Sequence, residues 1–286
     1  MDNLKARKRH PEEIAVYTGI YMCAAFSVLL LVGIIVYVFA KGAGRVNWAF
    51  LTGVTSILHG TVGIAGNILN TVIIIFLTMI ITTPIGVGAA IYLNEYAKPG
   101  KLVTLIIFAT ETLAGIPSII FGLFGMLFFG QLCHMGYSLL TGSLTLTLMV
   151  LPLVTRNTQE ALKTVPDSFR TGAVGLGAGK WYTIRTILLP SAMPGIVTGV
   201  ILAIGRIIGE SAALLFTAGS AHLLPKTFDA FLEKIFNSGG TLTIQLYLSA
   251  SKGEFEVAFG IAVVLLVVVL LINFATKRLA KKLEKH

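Results

Sequence analysis

Six apolar segments constrain the fold of this chain more than any other feature, because most of them are long enough to cross a bilayer. An α-helix needs about 20 apolar residues to span the hydrocarbon core. Only 12% of the residues are charged and 55% are hydrophobic. A soluble domain carries about a quarter charged residues. We therefore predict an all-α membrane protein with six transmembrane helices. The predicted spans cover residues 14–40, 68–93, 102–129, 143–154 with a start near 138, 194–216 and 257–275.

The basic residues predict how these spans are oriented. With the N-terminus in the cytoplasm, sixteen of the 22 Lys and Arg residues fall in cytoplasmic segments and five in external segments. Cytoplasmic loops of membrane proteins carry such an excess, so we expect both termini in the cytoplasm. The net charge of +9 has the same origin, and it does not indicate a nucleic-acid partner.

The spans divide the chain into a transmembrane domain and two tails. We predict a cytoplasmic N-terminal tail over 1–13, a transmembrane domain over 14–276 with its core at 68–276, and a basic cytoplasmic tail over 277–286. The first apolar run is longer than a signal-peptide core of about 7–15 residues, so we interpret it as a retained span. A cytoplasmic loop over 156–190 and an external segment over 217–256, the latter with a short amphipathic helix, are the main regions outside the membrane.

Two charged residues, Arg206 and Glu210, lie inside the apolar fifth span. Charges at membrane depth are costly, so they indicate a functional site. Residues four apart on one helix share a face and can touch. A guanidinium presents five donors that suit an oxyanion, and a neighbouring carboxylate can hold it while the site is empty. A structural ion pair between two helices is the alternative.

Glu111 is a second acidic residue within a span, the third. Counted along the helices at about 1.5 Å per residue, it lies at a depth similar to that of Arg206. We hypothesise that Glu111 pairs with Arg206 across the bundle or gates the path. A protonated acid bonded to nearby backbone explains it equally well.

The cytoplasmic loop carries the most specific motif, TGAVGLGAGKWYTIRTILLP. It resembles the EAA loop of ATP-binding-cassette (ABC) importer permeases, in which a Glu-Ala-Ala triplet precedes a Gly and an Ile-x-Leu-Pro sequence at fixed spacing. The matching positions here are Thr171, Gly172, Ala173, Gly177, Ile187, Leu189 and Pro190. The family's glutamate is replaced by Thr171, which puts its salt-bridging role in doubt. The resemblance implies a type I importer (MetI-like) fold and a loop that couples the spans to an ATPase.

A narrower resemblance covers nearly all of the chain from about residue 70. The segments LAGIPSIIFGLFG, ALKTVPDSFRTGAVGLGAGKW and ILAIGRIIGESAALLFTAG are similar to the phosphate importer permeases, and to PstA more than to PstC. In that family an Arg and a Glu of this span are the suspected transport residues, which map onto Arg206 and Glu210. The resemblance implies a phosphate importer in a bacterial cytoplasmic membrane. Its partners would be a paralogous PstC-like permease, a PstB-like ATP-binding dimer and a PstS-like phosphate-binding protein.

Other function classes receive less support from the sequence. No Walker A pattern occurs, so the ATPase is expected in a separate subunit and the chain itself is not expected to be an enzyme. We find no pattern for a metal site and expect no cofactor. A permease for sulfate or molybdate remains an alternative, and an ATP-independent transporter or channel a more distant one.

Overall fold

The fold is almost entirely helical. A computed structural model describes residues 11–56, 61–225 and 227–283. Most of the predicted N-terminal tail, with its basic stretch at 5–9, and the last three residues lie outside this description. The long helices are α1 (Pro11–Gly42), α3 (Ala65–Ile91), α4 (Lys101–Gly115), α6 (Leu139–Lys163), α9 (Leu189–Ile208) and α13 (Phe255–Leu283). The shorter helices are α2 (Trp48–Thr52), α5 (Ser118–Gly125), α7 (Asp167–Gly175), α8 (Lys180–Thr183), α10 (Ala212–Thr217), α11 (Phe228–Lys234) and α12 (Leu242–Ser251).

Within the described residues, the helices provide five membrane-length spans, or six when one bent pair is counted as a single span. The bent pair is the predicted third span, in which Lys101–Gly115 and Ser118–Leu132 meet at 103°. Pro117 lies at the bend, and both it and the preceding Ile116 are extended. A residue before proline avoids the helical region, so the break at this point follows from the sequence. The all-α membrane fold is confirmed, but the third span is not a single straight helix.

The fourth span is longer than its apolar core, and α6 is the centre of the molecule. It begins after Ser138, whose hydroxyl accepts the amide N–H of Thr141 as an N-cap. Two thirds of the apolar part of α6 is buried, whereas no residue in the apolar part of α1 is buried. Leu146, Met149 and Val150 are completely or almost completely buried against α3, α9 and α10. The start near residue 138 was predicted, but the continuation to Lys163 was not.

The fifth span differs from its prediction at both ends. Its helix runs from Lys180 to Ile208, through a π-helical stretch over Ile184–Leu188. It therefore begins fourteen residues before the predicted start at 194. Pro190 lies in the first turn of α9, directly after the π-helical stretch. The apolar segment then breaks after Ile208 and resumes as α10.

The segments predicted to be external contain more structure than the sequence indicated. The predicted amphipathic helix is present as α11, capped by the hydroxyl of Thr227. A second helix, α12, follows it, and α12 was not predicted. A small antiparallel hairpin, with β1 (Val54–Ser56) paired to β2 (Thr61–Ile64), precedes α3. At the other end α13 continues to Leu283, so most of the predicted C-terminal tail extends the last span as a helix.

Candidate functional site

Arg206 and Glu210 lie on either side of a helix break and do not share one helix face. Arg206 is in the last turn of α9, which ends at Ile208. Glu210 belongs to the short link before α10, and its Oε1 accepts the amide N–H of Ala213 at 3.0 Å. Within the described residues, no ion pair joins the two side chains. The expected continuous helix with a touching pair is therefore wrong, and the half-buried Glu210 caps α10 instead.

The backbone around Glu210 is held by a second helix. Thr243, in the first turn of α12, donates its hydroxyl to the Glu210 carbonyl at 2.8 Å. Carbonyl groups at the end of a helix lack partners within the helix, and at membrane depth such groups are costly to leave unbonded. The break beside Arg206 is therefore a stabilised feature of the fold.

Arg206 and Glu111 line one cleft, as their estimated depths suggested. The cleft has a volume of about 220 Å³ and lies between α4, α6 and α9. Its lining residues are Thr110, Glu111, Ala114, Met149, Pro152, Leu153, Arg156 and Arg206. Glu111 and Arg206 are exposed in the single chain, and the described residues contain no ion pair between them. The predicted proximity is present, whereas direct pairing is not.

Arg156 is the site residue that sequence reasoning missed. The predicted fourth span ends at residue 154, so Arg156 falls in the predicted cytoplasmic loop. In the structure α6 continues to Lys163, and Arg156 projects into the same cleft as Arg206. The signal was available, because Met149, Leu153 and Arg156 recur at the spacing of one helix face. The cleft therefore combines two guanidinium groups with one carboxylate.

The loop predicted to be cytoplasmic forms a helical hairpin against the end of α6. Helix α7 ends at Gly175, and Gly177 adopts a left-handed conformation with φ of 80°. The amide N–H of Ala178 donates to the Ala173 carbonyl at 2.9 Å, and that of Gly177 donates to Val174 at 2.9 Å. These two bonds form a Schellman motif, which explains why glycine occupies position 177.

The remaining motif residues divide between the inner and outer faces of the loop. Ala173 is buried, whereas Thr171 and Gly172 are exposed. Ile187 and Leu189 are half-buried beside the more deeply buried Leu188. Thr171 uses its hydroxyl on the carbonyls of its own helix, at 3.2 and 3.3 Å from Asp167 and Ser168. It makes none of the ion pairs expected of the glutamate that it replaces.

Apolar side chains project outward from this loop. We call this set the coupling surface, and it consists of Phe169, Val174, Leu176, Trp181 and Tyr182. Leu176 is 90% exposed, at the tip between α7 and α8. Exposed apolar patches on a polar loop mark interaction sites. The surface is therefore suited to contact with another protein.

Arg170 anchors the base of the hairpin. Its guanidinium donates to Glu95 at 2.9 Å, to the Leu162 carbonyl at 3.0 Å and to the Val165 carbonyl at 3.0 Å. It also pairs with the exposed Asp167 at 3.0 Å. The hydrogen bond to Glu95 raises the pKa of Arg170 above its ordinary value, so the guanidinium stays charged. Neither Arg170 nor Glu95 was singled out in the sequence.

Comparisons with known proteins identify the family. Residues 82–286 match the profile of the family described as binding-protein-dependent transport system inner membrane component. The probable ABC transporter permease protein YqgI of Bacillus subtilis is 36% identical, over 94% of this chain and 95% of its own length. The phosphate transport system permease protein PstA of Xylella fastidiosa strain Temecula1 is 34% identical, over 84% of this chain and 82% of its own length.

A solved structure supports the fold class. A chain of the MetNI methionine ABC transporter, in an inward-facing conformation, superposes with a TM-score of 0.59 and 23% identity. The match covers 77% of this chain and 94% of that chain, and it confirms the predicted MetI-like fold. The chain therefore belongs to the family of inner membrane components of binding-protein-dependent transport systems, as an ABC importer permease similar to the PstA proteins.

Proposed function

We propose that this permease carries inorganic phosphate into the cell, in a bacterial cytoplasmic membrane and with both termini in the cytoplasm. The observation that carries the proposal is the cleft between α4, α6 and α9, which brings Arg156, Arg206 and Glu111 together. The PstA-type relatives, which are named as phosphate transport permeases, support the same substrate.

Two guanidinium groups suit a small, highly charged oxyanion. Each can donate two parallel N–H bonds to oxygen atoms, which replaces part of the hydration that the anion loses on entering the membrane. A transport site must also release its ligand, so binding that is too tight prevents flux. The carboxylate of Glu111 in the same cleft repels an anion and keeps the affinity moderate.

Glu111 also favours phosphate over sulfate. Near neutral pH inorganic phosphate retains at least one hydroxyl group, which can donate a hydrogen bond to a carboxylate. Fully ionised sulfate has only acceptor oxygens, so Glu111 would face it without a shared proton. Two acceptor oxygens that face each other without a proton between them repel, so the carboxylate lowers the affinity of the site for sulfate. A sulfate or molybdate permease would have no use for this carboxylate.

The partners follow from the family and from the coupling surface. The open cleft of a single chain fits pairing with a PstC-like permease, which would close the path from the other side. The coupling surface around Leu176 would dock on a PstB-like ATP-binding subunit, and a PstS-like phosphate-binding protein would deliver the anion outside. In this arrangement the loop that couples the spans to the ATPase would contain the motif residues Thr171, Gly172, Ala173, Gly177, Ile187, Leu189 and Pro190.

Substitution of Arg206 tests the proposed substrate path. In the reconstituted complex, Arg206→Ala should lower uptake of radiolabelled inorganic phosphate by roughly tenfold or more, because a charge-assisted hydrogen bond is lost. Copurification with the ATPase should stay unchanged, since Arg206 is remote from the coupling surface. Arg278→Ala is the matched control, because this exposed arginine contacts the Phe274 ring outside the cleft. Normal phosphate uptake by Arg206→Ala would refute the role.

A further inference from the structure

Two consecutive residues after the end of α3 contact the helical hairpin formed by α7 and α8, which we call the coupling hairpin. After α3 the chain forms a π-helical turn over Tyr92–Tyr96. Glu95 in this turn accepts hydrogen bonds from Arg170 of α7, with the shortest at 2.9 Å. The adjacent Tyr96 ring lies 4.7 Å from the Lys180 ammonium, at the start of α8. Both helices that flank the tip of the hairpin therefore contact the same turn.

Of these two contacts, the ion pair between Glu95 and Arg170 is the more buried. The Glu95 side chain is 8% exposed and that of Arg170 is 23% exposed. Both Nε and Nη2 of Arg170 donate to the carboxylate, and the Asn94 amide holds Oε1 from the other side at 2.7 Å. The partner of Arg170 on the outer side, Asp167, is 91% exposed. Exposed ion pairs contribute little, whereas enclosed and hydrogen-bonded pairs fix geometry.

The turn that bears Glu95 has an unusual backbone. Single π-helical turns are rare and often mark functional sites. Toward the membrane α3 packs closely on α6, where a Cβ atom on Gly86 would lie 2.9 Å from Val154. A displacement of the hairpin would therefore pass through Glu95 into a helix that is packed against the wall of the cleft. The family's triplet glutamate is absent here, and among the described residues Thr171, which replaces it, bonds to carbonyls of α7 itself. Glu95 is therefore the acidic residue that contacts the hairpin.

We propose that Glu95 is a positioning residue that transmits movement of the coupling hairpin to α3. Arg170 is its fixed partner, held in addition by the Leu162 and Val165 carbonyls. The carboxylate comes from a membrane span, and the guanidinium comes from the loop. The inference rests on the proposed coupling role of the loop, and it does not depend on which anion is carried.

Glu95→Gln is the informative variant, because it keeps the size of the side chain and removes the charge. In the reconstituted complex we expect copurification with the ATPase to stay unchanged while phosphate uptake per ATP hydrolysed falls about fivefold or more. Glu95→Asp should lose less than Glu95→Gln, since it keeps the charge. Glu160→Gln is the matched control, because it removes the exposed ion pair with Lys163. Asp167→Asn removes the exposed partner of the same arginine, and it should change the ratio less than twofold.

A measurement that needs no substrate separates this proposal from the phosphate assignment. Gly88→Cys places a thiol on the exposed side of α3, where no atom lies within 4 Å of the new Cβ position. The exposed Cys23 and Cys133 are first replaced by serine. The rate of thiol labelling should change when the ATPase is trapped in its ATP-bound state, and Glu95→Gln should abolish that change.

The outcomes assign failure to one proposal or the other. An unchanged uptake-to-ATP ratio in Glu95→Gln, or an ATP-dependent labelling change equal to that of the unmodified chain, overturns the transmission role. Loss of ATPase copurification in Glu95→Gln also overturns it, since the residue would then serve assembly. If the unmodified complex takes up no phosphate but shows an ATP-dependent labelling change that Glu95→Gln abolishes, the substrate assignment fails and the role of Glu95 stands.

Discussion

Charged residues in the cleft were predictable only in part. Arg206 and Glu111 stand out in the sequence because a charge inside an apolar segment is costly. Arg156 does not stand out, because it follows an apolar segment and resembles the first basic residue of a loop. Only the continuation of α6 to Lys163 places it in the cleft. Single-residue chemistry can therefore be inferred from sequence where the span boundary is correct.

The role of Glu111 in selecting the anion can be tested by removing its charge. Glu111→Gln should reduce the preference for phosphate over sulfate by about tenfold, because the acceptor for the phosphate hydroxyl is weakened and the repulsion of sulfate is removed. Competition of unlabelled sulfate against radiolabelled phosphate uptake measures the preference. Thr112→Val is a suitable control, since its exposed hydroxyl bonds only to the Phe108 carbonyl of its own helix. Equal sulfate competition in Glu111→Gln and the unmodified chain would contradict the selection role.

Helix breaks were the least predictable elements. Pro117 signals the 103° bend in the third span, because proline inside a helix kinks or breaks it. The break after Ile208 has a weaker signal than a proline, because Gly209, Glu210 and Ser211 lie inside an otherwise apolar segment of membrane length. Two bonds stabilise this break: the N–H of Ala213 donates locally to the Glu210 carboxylate, whereas the Thr243 hydroxyl donates to the Glu210 carbonyl from 33 residues further along the chain. Tertiary contacts of this kind are not visible in local sequence patterns.

The capping role of Glu210 predicts a difference between two substitutions. Glu210→Ala should lower the stability of the detergent-solubilised chain by about 1 kcal/mol, because the N–H of Ala213 loses its side-chain acceptor. Glu210→Gln keeps an acceptor oxygen and should lose much less stability. Thermal unfolding of the two variants, followed by tryptophan fluorescence, compares them. Equal destabilisation by Ala and Gln would show that the charge of Glu210 matters more than the cap.

The whole molecule leaves much of its apolar surface uncovered. The apolar part of α1 has no buried residue, and neither has α4. The sequence predicted the fold class and the coupling loop, because apolar length and motif spacing carry that information. It did not indicate which helices pack against each other, because apolar length alone does not determine the contacts between helices. That arrangement follows from small residues and side-chain shape at the contacts.

The coupling surface should be the main contact with the ATPase, and one substitution tests this. Leu176→Asp should strongly reduce copurification of the ATP-binding subunit, because a charge replaces an apolar side chain that is 90% exposed at the tip of the hairpin. Leu223→Asp is the matched control, since this leucine is 70% exposed in the predicted external segment. Normal recovery of the ATPase with Leu176→Asp would show that the contact lies elsewhere.

The three walls of the cleft differ in how freely they can change. Helix α6 supplies Arg156 but is also the most enclosed span, so substitutions along it disturb packing with several neighbours. Helix α4 supplies Glu111 and buries nothing within the chain. Evolution toward a new cargo would therefore accumulate its first changes on α4, while α6 retained an older and more general affinity for negative charge.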